Sequence, residues 1–451
     1  MLKALFVFCV IILTIHCIIL IHELGHYVAA KIFNIKVKTF SIGLGKTIWQ
    51  RTDKNATSWR LGLFPIGGYV VVLNSQVDDV KPREYHQTFN IKPLWQKIVV
   101  YLAGPIANII CALVIYFFLY LNGLYQVKPY IADIIPDSIA SNAGIQENSL
   151  ITKINDIDTK SWRDASLILI SQLGSNNILE VETKKQGQKF SYKLDIREWH
   201  LDSLKFNPIA SIGFKPYLPN TPAVIADIIP NSPADGVLSI GDKIIAINDI
   251  KITNFSDYTD AMHYLANKEI KLMVNSSNIT KIVPITTSWT LKDGWEIAGY
   301  LGIKPEYSPW PKDKLVNMKY SVLGSLSASI DSTVTMLSYN FIILSKLIQR
   351  IIPMASLSGP IGFVGVAISS LNSSLKVFLE VIAIFNILLA FANILPLPGL
   401  DGGNILFRVY EAIKGQEISY MWQELITTFS IIFLVVITIH ATINDVLRLL
   451  T

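Results

Sequence analysis

Charged side chains are scarce in this chain: of 451 residues, 16% are Asp, Glu, Lys or Arg, while 51% are hydrophobic. An ordinary soluble domain carries about 25% charged residues, so the shortage excludes a wholly water-soluble protein and points to an integral membrane protein. An excess of one sign is also lacking. The 39 Lys and Arg against 34 Asp and Glu leave a net charge of +5, too little to hold nucleic acid through its phosphates. Cysteine is nearly absent: Cys9, Cys17 and Cys111 all lie in apolar runs, where a thiol serves as a small hydrophobe. They build neither a disulfide framework nor a cysteine zinc site. A cleavage site is missing too. The first apolar run is followed by IHELGHYVAAK rather than by small residues, so it reads as a retained helix and not as a secretory signal.

What is present is segregated along the chain. Residues 4–21 form an uncharged apolar run, long enough at about 1.5 Å per residue to cross a hydrocarbon core of about 30 Å. Further runs at 98–121, roughly 377–398 and 426–443 predict four transmembrane helices, two at each end of the chain. Between residues 31 and 97 stand eleven basic residues against four acidic ones, Asp53, Asp78, Asp79 and Glu84. The positive-inside rule puts this segment in the cytoplasm, and the N-terminus and the large middle region on the other side. The stretch 326–352, broken by Asp331, Lys346, Gln349 and Arg350, reads with the rest of 306–376 as amphipathic helices at the membrane interface.

The polar middle region is duplicated. IADIIP at 131–136 recurs at 225–230, and IND at 154–156 recurs at 247–249, a period that fits two copies of one small domain better than a solenoid. GDKIIAIND in the second copy resembles the PDZ domain; the first copy has Glu147-Asn148 where Gly-Asp is usual. The fold class is therefore a polytopic α-helical membrane protein with two extracytoplasmic PDZ-like α+β domains. Its segments are 1–127, 128–212 and 213–305 for the first membrane part and the two copies, then 306–376 and 377–451. PDZ domains bind peptide C-termini by adding a strand to a sheet edge; a purely steric role for one or both copies is equally open.

His22-Glu23-Leu24-Gly25-His26 is an HExxH motif. On a helix, positions i and i+4 share a face, so both imidazoles reach one Zn²⁺ and Glu23 stands beside it as general base. Ionisable residues in a membrane helix are costly and mark function; the plainer reading makes them polar end residues among headgroups. A catalytic zinc takes three protein ligands, and no Glu suited to be the third follows on a nearby helix. Asn393-Ile394-Leu395-Pro396-Leu397-Pro398-Gly399-Leu400-Asp401-Gly402-Gly403 closes the third apolar run. Its prolines and glycines stop a helix near the membrane, and Asp401 is the only carboxylate of that turn. His16 and His440, also in apolar runs, read as structural.

HExxH together with a distant NxxPxPxxDG resembles the site-2 proteases, a family of intramembrane zinc metalloproteases, over nearly the whole chain. The resemblance implies one zinc ion per chain on His22, His26 and Asp401, with Glu23 as catalytic base. Asn404 stands where relatives often have His. The segments FSIGLGKTIW (40–49) and SWRLGLFPIGGYVVVL (58–73) alternate and turn at glycines, as in the membrane-associated β element of the family. One edge of it is expected to pair with an unwound substrate strand, because a helix has every carbonyl bonded internally. Candidate substrate contacts are Gly43, Gly45, Leu61 and Leu63 on that element, Pro396 and Pro398 beside Asp401, and Asn108 and Asn393, whose amides could equally satisfy each other or helix carbonyls. The family also implies single-span membrane-protein substrates, such as a trimmed anti-sigma factor or remnant signal peptides. An upstream periplasmic-side protease then acts first, in a sigma-E envelope stress response at a Gram-negative inner membrane. Both termini would be periplasmic and the site cytoplasmic, provided residues 306–376 cross the membrane an even number of times. A membrane-tethered PDZ scaffold with a structural metal is the alternative.

Overall fold

The first apolar run winds into helix α1, Leu2–Ile32, without pausing at the motif that follows it. Leu, Ile, Ala and Val carry the helix through HELGHYVAAKI, so His22, Glu23 and His26 sit within the candidate span Cys9–Ile32 and not past its end. The structure, a computed structural model, describes residues 2–175, 177–201, 207–292, 296–306, 308–416 and 418–450. The chain forms two compact units: residues 1–124, 319–342 and 366–440 make one, and residues 125–318, 343–365 and 441–451 the other.

After α1 come strands β1, Val37–Thr52, and β2, Ser58–Val72. Both are long enough to pair twice. Residues 39–42 lie between 58–61, which step in the same direction, and 68–71, which step in the opposite one, while 47–52 pair with 58–62. The ribbon is thus a small sheet of four segments with 47–52 and 68–72 at its edges. Its turn is held by Asp53, whose Oδ1 accepts from Asn55 N (2.8 Å) and Thr57 N (2.9 Å) while Oδ2 takes the Trp59 indole N–H (3.1 Å). Helix α2, Leu94–Asn122, starts after Pro93 and carries Pro105 inside.

The duplicated middle repeats itself in space. The first copy has β3 (Tyr130–Ile134), β4 (Ser149–Ile154), α3 (Trp162–Gln172), β5 (Ile178–Lys185), β6 (Gln188–Asp195) and β7 (Phe214–Pro216), in sheet order β6-β5-β4-β3-β7. The second has β8 (Ile225–Ile228), β9 (Lys243–Ile247), α4 (Phe255–Met262), β10 (Glu269–Ser276), β11 (Ile279–Thr286) and β12 (Ile303–Pro305), with β9-β10-β11 in succession and β8 on β12. The repeated IND has a cause. Asn155 and Asn248 take positive φ (48° and 49°), and each Oδ1 accepts from the neighbouring strand, Glu180 N and Lys271 N, both at 2.9 Å. Both copies also open their helix with a capping box, Ser161/Asp164 and Asn254/Asp257. Asp133–Lys215 and Asp227–Lys304 join matching strands. Each copy closes over its own core, Ile131, Ile151, Leu169, Leu179 and Phe214 in one, Ile225, Ile244, Leu272 and Val274 in the other.

The chain then forms α5 (Val322–Ile348), α6 (Pro360–Ser373), α7 (Leu375–Ile394), α8 (Asp401–Lys414) and α9 (Tyr420–Leu450). Among the described residues five helical segments are long and apolar enough to span a membrane, one more than the sequence counts; the addition is Met354–Ser373. Its α-helical part, α6, has 14 residues, about 21 Å at 1.5 Å per residue, short of a core of about 30 Å. Helix α5 buries Ser325, Ser329, Thr333 and Met336 along one face and exposes Leu323, Ile330 and Val334 on another. Lys376 Nζ, in the first turn of α7, donates to the carbonyls of Asn122 and Gly123 at the end of α2. Helix α7 therefore starts where α2 stops, and the two run antiparallel.

Candidate metal centre

His22 and His26, one turn apart on α1, turn the same edge of their rings to Asp401. The first residue of α8 is Asp401, because Pro396 and Pro398 end α7 at Ile394 and the chain folds back. That reversal is tight: a Cβ on Gly402 would lie 2.2 Å from Ile394 O. His22 Nε2 and His26 Nε2 stand 3.2 and 3.3 Å from Asp401 Oδ2 and 3.2 Å from each other. A tetrahedron with metal–ligand bonds of about 2.0 Å has edges of about 3.3 Å. The two histidines are 7% and 9% exposed.

The protons make the same point. His26 Nδ1 lies 2.7 Å from Val100 O, which can only accept, and His22 Nδ1 lies 2.8 Å from Asn108 Oδ1. Both rings therefore carry their proton on Nδ1 and turn a bare lone pair at Nε2 toward the carboxylate. Asp401 Oδ2 is buried with no donor among the described residues. Three electron pairs converging in an apolar setting repel one another unless a cation joins them, so these donors fit a zinc ion. Helix α2 passes close to both rings: a Cβ on Gly104 would lie 2.3 Å from His26 Nε2 and 2.8 Å from His22 Nε2.

Glu23, 7% exposed, is the next residue on α1. It faces the ribbon: a Cβ on Gly68 would fall 2.8 Å from Glu23 Cγ and 3.1 Å from its Oε1. The ribbon is fastened to the same helix by aromatic rings, Tyr27 against Phe40 (5.7 Å) and Trp59 (5.2 Å). The edge segment 68–72 thus lies at the candidate base.

The remaining expected contacts are spread differently. Asn108 is fully buried and spends both amide hydrogens and one lone pair of Oδ1 inside the protein, on Ile18 O (3.2 Å), Asn386 Oδ1 (2.7 Å) and His22. Asn393 does not meet it; its Nδ2 donates to Leu389 O (3.0 Å) on its own helix. Leu61 is flanked by Ile42 and Trp49, and Gly43 packs on Phe64 O, so these lie inside the ribbon, while Leu63 is half exposed. Gly45 abuts the Phe64 ring. Pro396 is exposed, Pro398 is half-buried, and Asn404 sits half-buried in the first turn of α8. Asn386, fully buried, is the residue the sequence reading passes over. Its one signal is a polar amide in mid-span, where such groups are costly.

The chain is similar to known proteins over nearly its whole length. The regulator of sigma E protease of Haemophilus influenzae is 32% identical over 97% of this chain and 98% of its own. The regulator of sigma-E protease RseP of Escherichia coli and the protease RseP of Yersinia pestis are each 30% identical over the same shares. Among solved structures, the PDZ domain of the SdrC-like protein of Listeria innocua overlaps 20% of this chain and 97% of its own at 18% identity, with a TM-score of 0.17. The family model for Peptidase family M50 matches residues 10–437, and the chain belongs to that zinc-dependent family of peptidases.

Proposed function

We propose that this protein is an intramembrane zinc endopeptidase that cuts the transmembrane segment of single-span membrane proteins within an envelope stress response. The observation that carries the reading is the convergence of His22 Nε2, His26 Nε2 and Asp401 Oδ2 at 3.2–3.3 Å among apolar helices, with Glu23 adjoining. His22, His26 and Asp401 hold one zinc per chain, and when bound it supplies a Lewis acid that makes water nucleophilic near neutral pH and polarises a carbonyl. Glu23 takes the proton released as water attacks the scissile carbonyl and returns it to the departing amine. The 68–72 edge of the ribbon receives the substrate in extended form, by strand addition beside Glu23. Asn393 keeps one amide oxygen for a substrate N–H.

Four spans, α1, α2, α7 and α9, put both termini in the periplasm and the zinc toward the cytoplasm of a Gram-negative inner membrane. Two observations support this. The basic excess of residues 31–97 follows α1, and the Lys376 contact with the end of α2 returns the chain to the face it left. The substrate class is a membrane-bound anti-sigma factor already trimmed by an upstream periplasmic-side protease, with remnant signal peptides as a second class. The PDZ-like copies screen what approaches by size, or take the C-terminus exposed by trimming.

Purified protein is expected to carry one zinc per chain. Glu23→Gln keeps that zinc and loses cleavage of a transmembrane reporter by at least about 100-fold. A Glu23→Gln protein that still cleaves removes the reading, and one that supports every cellular output without cleavage favours the scaffold.

A further inference from the structure

The two histidines are held by different means. His26 leans on backbone, the carbonyl of Val100. His22 leans on a side chain, Asn108, and Asn108 in turn on Asn386 of α7; both asparagines are fully buried. The polarity of this chain is fixed at its ends. The carbonyls of Ile18 and Ile382 only accept, so Asn108 Nδ2 faces Ile18 O (3.2 Å) and Asn386 Nδ2 faces Ile382 O (2.9 Å). Asn386 Oδ1 then accepts from Asn108 Nδ2 at 2.7 Å, and Asn108 Oδ1 is left to accept from His22 Nδ1. Flipping either amide sets oxygen against oxygen in a buried apolar setting, which costs more than it returns.

We propose that Asn386 is a positioning residue for the metal centre: through Asn108 it fixes the tautomer and ring plane of His22, so that the Nε2 lone pair faces the zinc. It touches neither substrate nor metal. The relay binds α1, α2 and α7, and α7 is the helix whose end delivers Asp401, so ligand orientation and helix placement are set by one buried chain of hydrogen bonds. Groups that orient metal-bound histidines in this way typically govern metal affinity by about 10- to 100-fold.

The test uses the full-length protein in detergent. Asn386→Leu, similar in size and at home in a membrane helix, is expected to weaken zinc affinity about 10-fold in chelator competition. In ¹⁵N spectra of metal-free protein His22 should be a single Nδ1–H tautomer in the wild type and a mixture in Asn386→Leu. Asn386→Asp, whose acid form accepts from Asn108 and donates to Ile382 O, should bind zinc within about twofold of wild type. Unchanged affinity in Asn386→Leu overturns the proposal, as does lost affinity with His22 still in one tautomer, which would mean packing alone. Should Asn386→Leu fail to fold, the wild-type spectrum decides, since a tautomer mixture there excludes the relay. The proposal rests on His22 as a zinc ligand, and the two fail separately. Full zinc affinity in His22→Ala removes the ligand assignment, whereas zinc held by wild type and Asn386→Leu alike removes only the relay.

Discussion

At the scale of single residues, the metal centre depends as much on atoms left out as on those present. Gly104 of α2 passes so close to both imidazoles that an added methyl would stand 2.3 Å from His26 Nε2. The nearest atoms are the very nitrogens proposed to hold the zinc, each ring tethered on its other side by a hydrogen bond, so neither ring can retreat without losing its anchor. Gly104→Ala should therefore lower zinc affinity by at least about 10-fold, measured by chelator competition. The substitution favours the helix by about 1 kcal/mol, so loss of metal could not be ascribed to a weakened α2. Unchanged affinity would mean that the rings have freedom the structure denies them.

At the scale of elements, the ribbon shows where sequence reasoning reaches and where it stops. Alternation and glycines reveal β1 and β2, and HExxH and NxxPxPxxDG pick out the three donor residues that the structure brings together, because these motifs act through local helix and turn geometry. The edge is not local. Leu61 is a candidate substrate contact from the sequence, yet residue 61 is paired on both sides, and the outer segment beside Glu23 is 68–72. Asn386 is hard to read for the same reason: its partner Asn108 lies 278 positions away, and FNILL shows a costly mid-span amide without showing what it meets. The fifth apolar segment does not stand out in the sequence because its helix, α6, has only 14 residues and is separated from a 3₁₀ turn at Met354–Ser356 by non-helical residues 357–359. Proline at Tyr69, on the outer segment, removes a backbone N–H and stiffens the strand. Cleavage of a transmembrane reporter should fall by at least about 10-fold, the scale of misplaced substrate, with zinc content intact. Full activity would remove strand addition at that edge.

At the scale of the whole molecule, the duplicated insert is separate from the chemistry. The proposed ligands, the proposed base and the proposed relay all belong to residues 1–124 and 366–440, one compact unit with 319–342, and the PDZ-like copies belong to the other. The copies retain the same turn asparagines, the same capping boxes and the same cross-strand ion pairs. Exposed pairs of this kind contribute little stability, so they mark common descent of the two copies and not a load on either. An insert that takes no part in bond breaking can act on a proteolytic site by obstructing bulky substrates or by capturing their ends. Deleting residues 128–305 separates the two. Obstruction predicts that the shortened protein cleaves a substrate whose periplasmic domain is still intact, which the full chain leaves uncut. Capture predicts loss of cleavage of the trimmed substrate as well, with zinc still bound. The duplication favours obstruction, since two copies add bulk whether or not each keeps a working groove, and the first copy has Glu147-Asn148 where Gly-Asp is usual before the IND turn. Cleavage of the intact substrate by the shortened protein, followed by gel mobility of both fragments, is therefore the expected outcome; retention of the intact form with loss of the trimmed product would assign the insert to capture.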